Sequence, residues 1–273
     1  MSKNQKVLSN SNLYKAILCL ETLTPDSNYE FLSNCKEMKA YRRPSKKNPN
    51  YYEYLALGTF PLDPKIMFDL NFDLDYRNSW DSYSKSLKFI KKIDEFTDLV
   101  YWRMCYPFPF TDRDYLYLRY CLTITAQELL DSIEKEDNQI ESKTNDENNN
   151  KLSSENLQKL ITILKSNPSK IYHVSSSRPS EDHSPSEDPS DKKAIRVQEF
   201  HSICITSSSS SSSPPPSENN NQCQLFSYMF DNPSGKIPSS FINWITKTAM
   251  PKALDQTKKA GDKYQSWKDK NKK

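Results

Sequence analysis

The stretch VYWRMCYPFPFTDRDYLYLRY, residues 100–120, constrains this chain more than any other. Two runs of aromatic and β-branched residues flank two prolines and a charged turn. Proline donates no N–H to a sheet ladder, so the prolines must lie between strands, and a β-hairpin is the economical solution. Side-chain alternation places Trp102 on one face with Val100 and Met104, and Tyr115 with Tyr117 and Arg119. Alternation alone does not say whether that face lines a core or a cavity. Arg113 and Asp114 read as turn or structural ion-pair residues with no ligand role.

At 273 residues the chain is long enough to bury a substantial core as one domain or two. A net charge of +3 is too small for a nucleic-acid binder, so no nucleic-acid partner is expected. No apolar run approaches the ~20 residues that span a bilayer. The apolar patch near the N-terminus follows polar residues and lacks a cleavage site, which argues against a signal peptide. Six cysteines stand singly at 19, 35, 105, 121, 204 and 223, the pattern of reduced thiols in a cytoplasmic protein. His173, His183 and His201 lack metal-ligand spacing, so neither metal nor cofactor is expected.

Three polar insertions interrupt the foldable sequence, at about 126–168, 177–193 and 207–222. Their cores are acidic and asparagine-rich, proline- and serine-rich, and serine-rich in turn, and they read as disordered. The flanks of the first, AQELLDSI and SSENLQKLITILKS, have helical spacing and predict short helices. Outside the insertions, CKEMKAYRRP and NYYEYLALGTF form a hairpin, and PLDPKIMFDLNFDLDYRNSWDSYSKSL carries helix signals from Pro61 and Pro64 onward. SKIYHVSSS, KAIRVQEFHSICIT and QCQLFSYMFDN supply three more strands. From Pro238 a long amphipathic helix is expected, with Phe241, Trp244, Ile245, Leu254, Tyr264 and Trp267 on its apolar face and a kink at Pro251. The order of elements predicts an α+β domain in which a curled antiparallel sheet grips the last helix.

YRNSWDSY, VYWRMCYPFPFTDRDYLYLR and FDNPSGKIPSSFINWITKTAMPKAL resemble, in the same order, segments of START lipid-transfer domains. The resemblance covers about residues 36–264 apart from the insertions. It implies a helix-grip fold with a lipid tunnel, a single domain over 10–268 and a basic tail over 269–273. It also implies a monomeric carrier of one phospholipid, phosphatidylcholine first, with no catalytic residues and peripheral contact with a membrane surface. By position in the motifs, Arg77 and Asp81 correspond to the family's buried arginine and its carboxylate partner. Trp102 and Tyr115 correspond to two walls of its choline cage. Phe200 stands where the family's third ring is a tyrosine, keeping the ring face and losing the hydroxyl.

Those residue types suit a phosphocholine headgroup. Trimethylammonium has no N–H, so aromatic faces hold it by cation–π attraction of about 0.5–2 kcal/mol. Phosphate needs a donor that stays charged away from water, and arginine's planar fork supplies it. Residues 77 and 81 are one helical turn apart, so Asp81 can balance Arg77 before lipid arrives. The same spacing also fits an exposed ion pair worth only ~0.3–0.5 kcal/mol, and Trp102 alone would pass for a core residue. Phe200 shares its face with Ser202 and Cys204, whether that face meets a cavity or solvent. Gly235 and Pro251 are candidate hinges for a C-terminal lid, whose lysines would meet an anionic membrane. A sensor acting through a protein partner, or a carrier of ceramide, sterol or another phospholipid, fits the same pattern. A hydrolase does not, because no nucleophile elbow or G-x-S-x-G is present.

Overall fold

A single antiparallel sheet organises the protein, in the order β1-β2-β3-β10-β9-β7-β6-β5-β4. The computed structural model describes residues 7–26, 28–140, 152–180, 193–208, 222–233 and 244–271. The strands are β1 Glu30–Cys35, β2 Met38–Pro44, β3 Tyr52–Phe60, β4 Ser84–Lys92, β5 Thr97–Met104, β6 Asp112–Thr125, β7 Ile171–Pro179, β8 Ala194–Arg196, β9 Glu199–Ser208 and β10 Cys223–Asn232. The three-residue β8 lies off this path, parallel to β6. The expected hairpin of the ring-rich stretch is β5–β6, with Trp102 opposite Tyr115. The sheet is curved and unclosed, leaving β1 and β4 as its edges.

The two faces of the sheet are covered differently. Helix α1 (Asn10–Thr22), α4 (Ala126–Ile140) and α5 (Ser154–Ser166) pack on the outer face around Leu55, Leu57, Tyr172, Val174, Ile203 and Ile205. This is a solid core, pinned by a buried ion pair between Lys170 and Glu21 at 2.6 Å and by the Tyr172 hydroxyl donating to Glu21 at 3.0 Å. The inner face meets α2 (Pro64–Phe72), α3 (Leu74–Trp80) and the C-terminal helix α6 (Met250–Asn271). Asp63 caps α2 by accepting from the Lys65 and Ile66 amides, with Pro64 at the first turn. Asp73 caps α3 through the Tyr76 amide.

Helix α6 is fastened at its far end. Tyr76 packs on Trp267 at 4.8 Å and Tyr264 at 5.1 Å, and its hydroxyl donates to the Ala260 carbonyl. Gly261 rests on Leu62, where a Cβ would come within 2.4 Å of a methyl carbon. Five π-helical residues, Ile245–Ala249, precede α6, and Pro251 sits at its second position. Proline lacks the N–H that a helix interior would use, so it marks the join between π turn and α-helix rather than kinking a continuous helix.

Several expectations need correction. The helices expected at the two flanks of 126–168 are present as α4 and α5, but they span 15 and 13 residues and carry core rather than interrupting it. Leu129, Leu130, Ile133, Leu160 and Leu164 recur every three or four positions and are all buried in the outer-face cluster. The centre of that segment, residues 141–151, lies outside the described residues, as do 181–192 and 209–221 of the other two insertions. Residues 177–179 and 207–208 belong to β7 and β9 instead. The helical stretch after Pro61 ends at Trp80, and SKSLKFIKK is the edge strand β4. KAIRVQEF divides between β8 and β9, while α1 and β1 were not anticipated at all.

Leu160→Ala should cost about 2–5 kcal/mol, the range for emptying a buried leucine site. Urea unfolding checks this; a midpoint unchanged from the parent would return α5 to the status of a dispensable insertion.

Candidate functional site

Between the inner face and α6 lies a hollow with two communicating chambers. One, of about 400 Å³, is walled by Arg77, Trp102, Tyr115, Phe200 and Asp231 and roofed by Trp244, Ile245 and Met250. The other, of about 330 Å³, runs over Cys121, Ser175, Cys204 and Ser227 beneath Leu254 and Thr257. Arg77, Tyr117, Ser202 and Met229 wall both, so the two are ends of one space. Each falls in the ~300–1,000 Å³ range of small-ligand pockets. Register explains the second chamber's width. Cys121, Ser175, Cys204, Ser227 and Ala56 stand opposite one another across five strands, a row of small side chains.

Four of the five expected headgroup residues, Arg77, Trp102, Tyr115 and Phe200, wall the first chamber, and the fifth, Asp81, stands behind Arg77. Asp81 is the C-cap of α3; its Oδ1 accepts from the Tyr83 amide at 3.0 Å and its Oδ2 from Arg77 Nε at 3.0 Å. Neither side chain is exposed, at 18% for Arg77 and 9% for Asp81, so the surface ion-pair reading does not hold. Arg77's terminal nitrogens make no hydrogen bond to the described residues, which leaves its fork open to the hollow. Trp102 is aimed by a hydrogen bond from its indole N–H to Ser84 Oγ at 3.2 Å. It stacks on Tyr115 at 5.4 Å, and Phe200 meets Tyr115 edge-on at 5.1 Å and Tyr117 at 6.2 Å. Because Trp102 and Tyr115 lie on each other, a cation is not sandwiched between them here. The guanidinium of Arg77 sits over the Trp102 ring instead, 5.0 Å from its centroid.

Of the expected lid residues, Trp244 and Ile245 roof the first chamber and Leu254 the second. Phe241 and the candidate hinge Gly235 lie outside the described residues. Exposed contacts hold this end of the lid: an ion pair of Asp255 with Lys36, Gln256 donating to Ser82 at 2.7 Å, and Lys252 over the Tyr83 ring. Arg113 and Asp114 do not pair with each other. Arg113 donates to the Thr111 and Pro233 carbonyls, and Asp114 is held by Arg196.

Two buried charged groups in the hollow were not anticipated. Arg119 lines the second chamber and donates to Asp98 at 2.8 Å and to the Phe72 carbonyl at 3.0 Å, tying the end of α2 to the sheet. Asp231 lies directly opposite Phe200 in the β9–β10 ladder. Its Oδ2 accepts from the Tyr115 hydroxyl at 2.7 Å, while its buried Oδ1 has no hydrogen-bond partner among the described residues. Burial pushes the Asp231 carboxyl up to about 6, partly offset by the Tyr115 hydrogen bond and by Arg113. Burial likewise pushes the Tyr115 phenol well above its usual range. The sequence signal for Asp231 was available, since FDN ends a strand whose partner carries Phe200, but only a known register links the two.

An antiparallel sheet curved around a C-terminal helix, enclosing an apolar hollow with a few buried charges, defines a lipid-carrying helix-grip domain. A sequence profile of the START domain matches residues 29–131 and 162–266, and the chain belongs to this family of lipid-transfer proteins. It is 29% identical over 215 residues to phosphatidylcholine transfer protein of Mus musculus, spanning 78% of this chain and 74% of the relative. The Homo sapiens phosphatidylcholine transfer protein is 28% identical over 251 residues, 90% of this chain and 91% of that one. Among solved structures, human STARD10 superimposes with a TM-score of 0.65 at 14% identity, covering 99% of this chain and 86% of that chain, a likeness of fold.

Asp231→Asn should raise Tm at pH 7.5. A carboxyl with a folded pKa above its unfolded value contributes stability below the unfolded pKa and loses it as pH rises through about 6. The aspartate therefore costs up to ~3 kcal/mol at neutral pH. Thermal denaturation should show the variant's advantage at pH 7.5 and none at pH 4; equal Tm at both would mean Asp231 is not desolvated.

Proposed function

We propose that this protein is a cytoplasmic, monomeric carrier of one phospholipid, phosphatidylcholine, between membranes, with no covalent step. The observation that carries the reading is the meeting of a buried guanidinium and a ring box at one end of an apolar hollow. Phosphate has a donor in Arg77, held by Asp81 and with terminal nitrogens that make no hydrogen bond to the described residues. The methylated ammonium has ring faces in Trp102, Tyr115 and Phe200. In the empty protein Arg77 occupies the Trp102 face. On lipid entry it turns to the phosphate and the ammonium takes its place, so one cation replaces another over the ring. The second chamber, over its row of small side chains, takes acyl chain. Extraction gives up bilayer contacts worth about 0.8 kcal/mol per CH₂, so the chains need a closed apolar space. The relatives named for phosphatidylcholine transfer support this choice of headgroup.

Native mass spectrometry of the purified protein should find choline phospholipid bound, and Trp102→Ala and Arg77→Gln should each lower its occupancy about 10-fold, as loss of a cation–π or charge-assisted contact of ~1–2 kcal/mol implies. Equal loading of neutral sterol by parent and both variants would reject the headgroup assignment.

Entry is by the lid. The π turn and first turns of α6 are held by exposed ion pairs and hydrogen bonds, whereas its far end is locked by Tyr76, Tyr264 and Trp267. Exposed pairs contribute ~0–1 kcal/mol each, so the near end releases first. Lysines 247 and 252 near that end favour an anionic surface by up to ~1 kcal/mol each. Phe108 at the β5–β6 tip, 97% exposed, presents a ring to the same surface. No helix among the described residues is long and apolar enough to cross a membrane. Joining Ser82→Cys to Gln256→Cys by a disulfide should stop lipid exchange between vesicles reversibly under reductant; exchange at the parental rate while oxidised would overturn the lid.

A further inference from the structure

We propose that Asp231 is the counter-ion of the headgroup box, the residue that selects a cationic lipid headgroup and rejects an anionic one. The inference rests on the reading of the hollow as a phospholipid site and adds to it the determinant of headgroup charge. Rings attract a cation weakly and discriminate poorly between a cationic and a neutral group, whereas a buried carboxylate does both. Asp231 lines the ring chamber and is placed across the ladder from Phe200. One oxygen is satisfied by Tyr115 and the other, Oδ1, is buried without a partner among the described residues. A buried, half-satisfied carboxylate is costly to keep unless something completes it. The Arg113 guanidinium, whose charge partly lowers this carboxyl, donates to the Thr111 and Pro233 carbonyls instead. A headgroup ammonium in the box supplies the missing charge.

Uptake is then linked to protons, because the cation binds only the ionised carboxylate. The other groups around Asp231 do not share this titration. Tyr106 on the β5–β6 loop and Tyr115 on β6 are both pushed upward by burial. On β9, Glu199 accepts from Asn232, and His201, which also lines the chamber, packs edge-on against Tyr228, its pKa lowered by burial and by Lys47 and Arg178. Arg77 and Asp81 stand across the chamber as an ion pair, and the described lid residues lining it carry no titratable group. With the Asp231 carboxyl near 6 in the empty box, affinity for a cationic headgroup falls as pH drops from 7 to 5.

The test is equilibrium uptake of fluorescent phosphatidylcholine from vesicles by the full chain between pH 5 and 8. Phosphatidylglycerol, whose charge is constant over this range, serves as the anionic comparison. The parent should prefer phosphatidylcholine at least 10-fold at pH 7.5 and lose about 10-fold of that affinity by pH 5. Asp231→Asn should lose about 10-fold at pH 7.5, become flat with pH and discriminate less against phosphatidylglycerol. Tyr115→Phe, which removes the donor to Oδ2, should move the acid limb to higher pH without flattening it. Millimolar free choline should leave lipid uptake unchanged; displacement of the lipid would make the box a site for soluble quaternary ammonium and overturn the assignment. If Asp231→Asn keeps the parent's affinity and pH slope while Trp102→Ala loses phosphatidylcholine, the counter-ion proposal fails and the lipid reading stands. If the parent takes up no phosphatidylcholine at any pH, the lipid reading itself fails.

Discussion

The structure depends on keeping a guanidinium charged inside an apolar space. Arg77 is desolvated on a wall of the hollow, and a lone charge there would unfold or fill the site. Its tolerance comes from local geometry. Asp81 lies one turn away at the C-cap of α3, is fixed by the Tyr83 amide, and takes the Nε–H at 3.0 Å. Only one edge of the fork is used, so the pair remains short of donors' full satisfaction on the other edge. Trp102 supplies partial compensation through its ring face. The arrangement stores an unfilled need for an anion next to rings suited to a cation. A zwitterionic headgroup meets both needs at once.

That arrangement is affordable because the sheet divides its labour. The outer face carries a close-packed core of three helices with a buried Lys170–Glu21 pair. The inner face is left under-filled, with small side chains in register across five strands and a helix locked by buried rings at its far end and held by exposed contacts at its near end. Stability is concentrated where no ligand goes, and the loosely held contacts lie where the hollow must open. Asp231 is an instance of the same division: it opposes folding at neutral pH and is placed where an incoming cation completes it.

The hairpin, the two strands after residue 36 and the C-terminal helix were legible because their patterns are local. Prolines fixed the β5–β6 turn, alternation fixed its faces, and the apolar spacing from Trp244 to Trp267 fixed the lid. The five headgroup positions came from motif resemblance; Trp102, Tyr115 and Phe200 converge because β5, β6 and β9 share one inner face, and α3 brings Arg77, backed by Asp81, to the same chamber. What could not be read was non-local. Helices α4 and α5 look like insertion because half their surface is charged, and their leucine stripes matter only against a sheet face that sequence does not display. Strand β4 has lysine on most exposed positions, as an edge needs, and its propensity was masked by the helix before it. Asp231 required the register of β9 against β10.

The most direct test of the central claim is a high-resolution crystal structure of the protein carrying its lipid. The account predicts lipid phosphate within about 2.7–2.9 Å of the Arg77 terminal nitrogens, with the ammonium against Trp102 and Asp81 still on Nε. A headgroup lying outside the hollow, with Arg77 unmoved over Trp102, would contradict it.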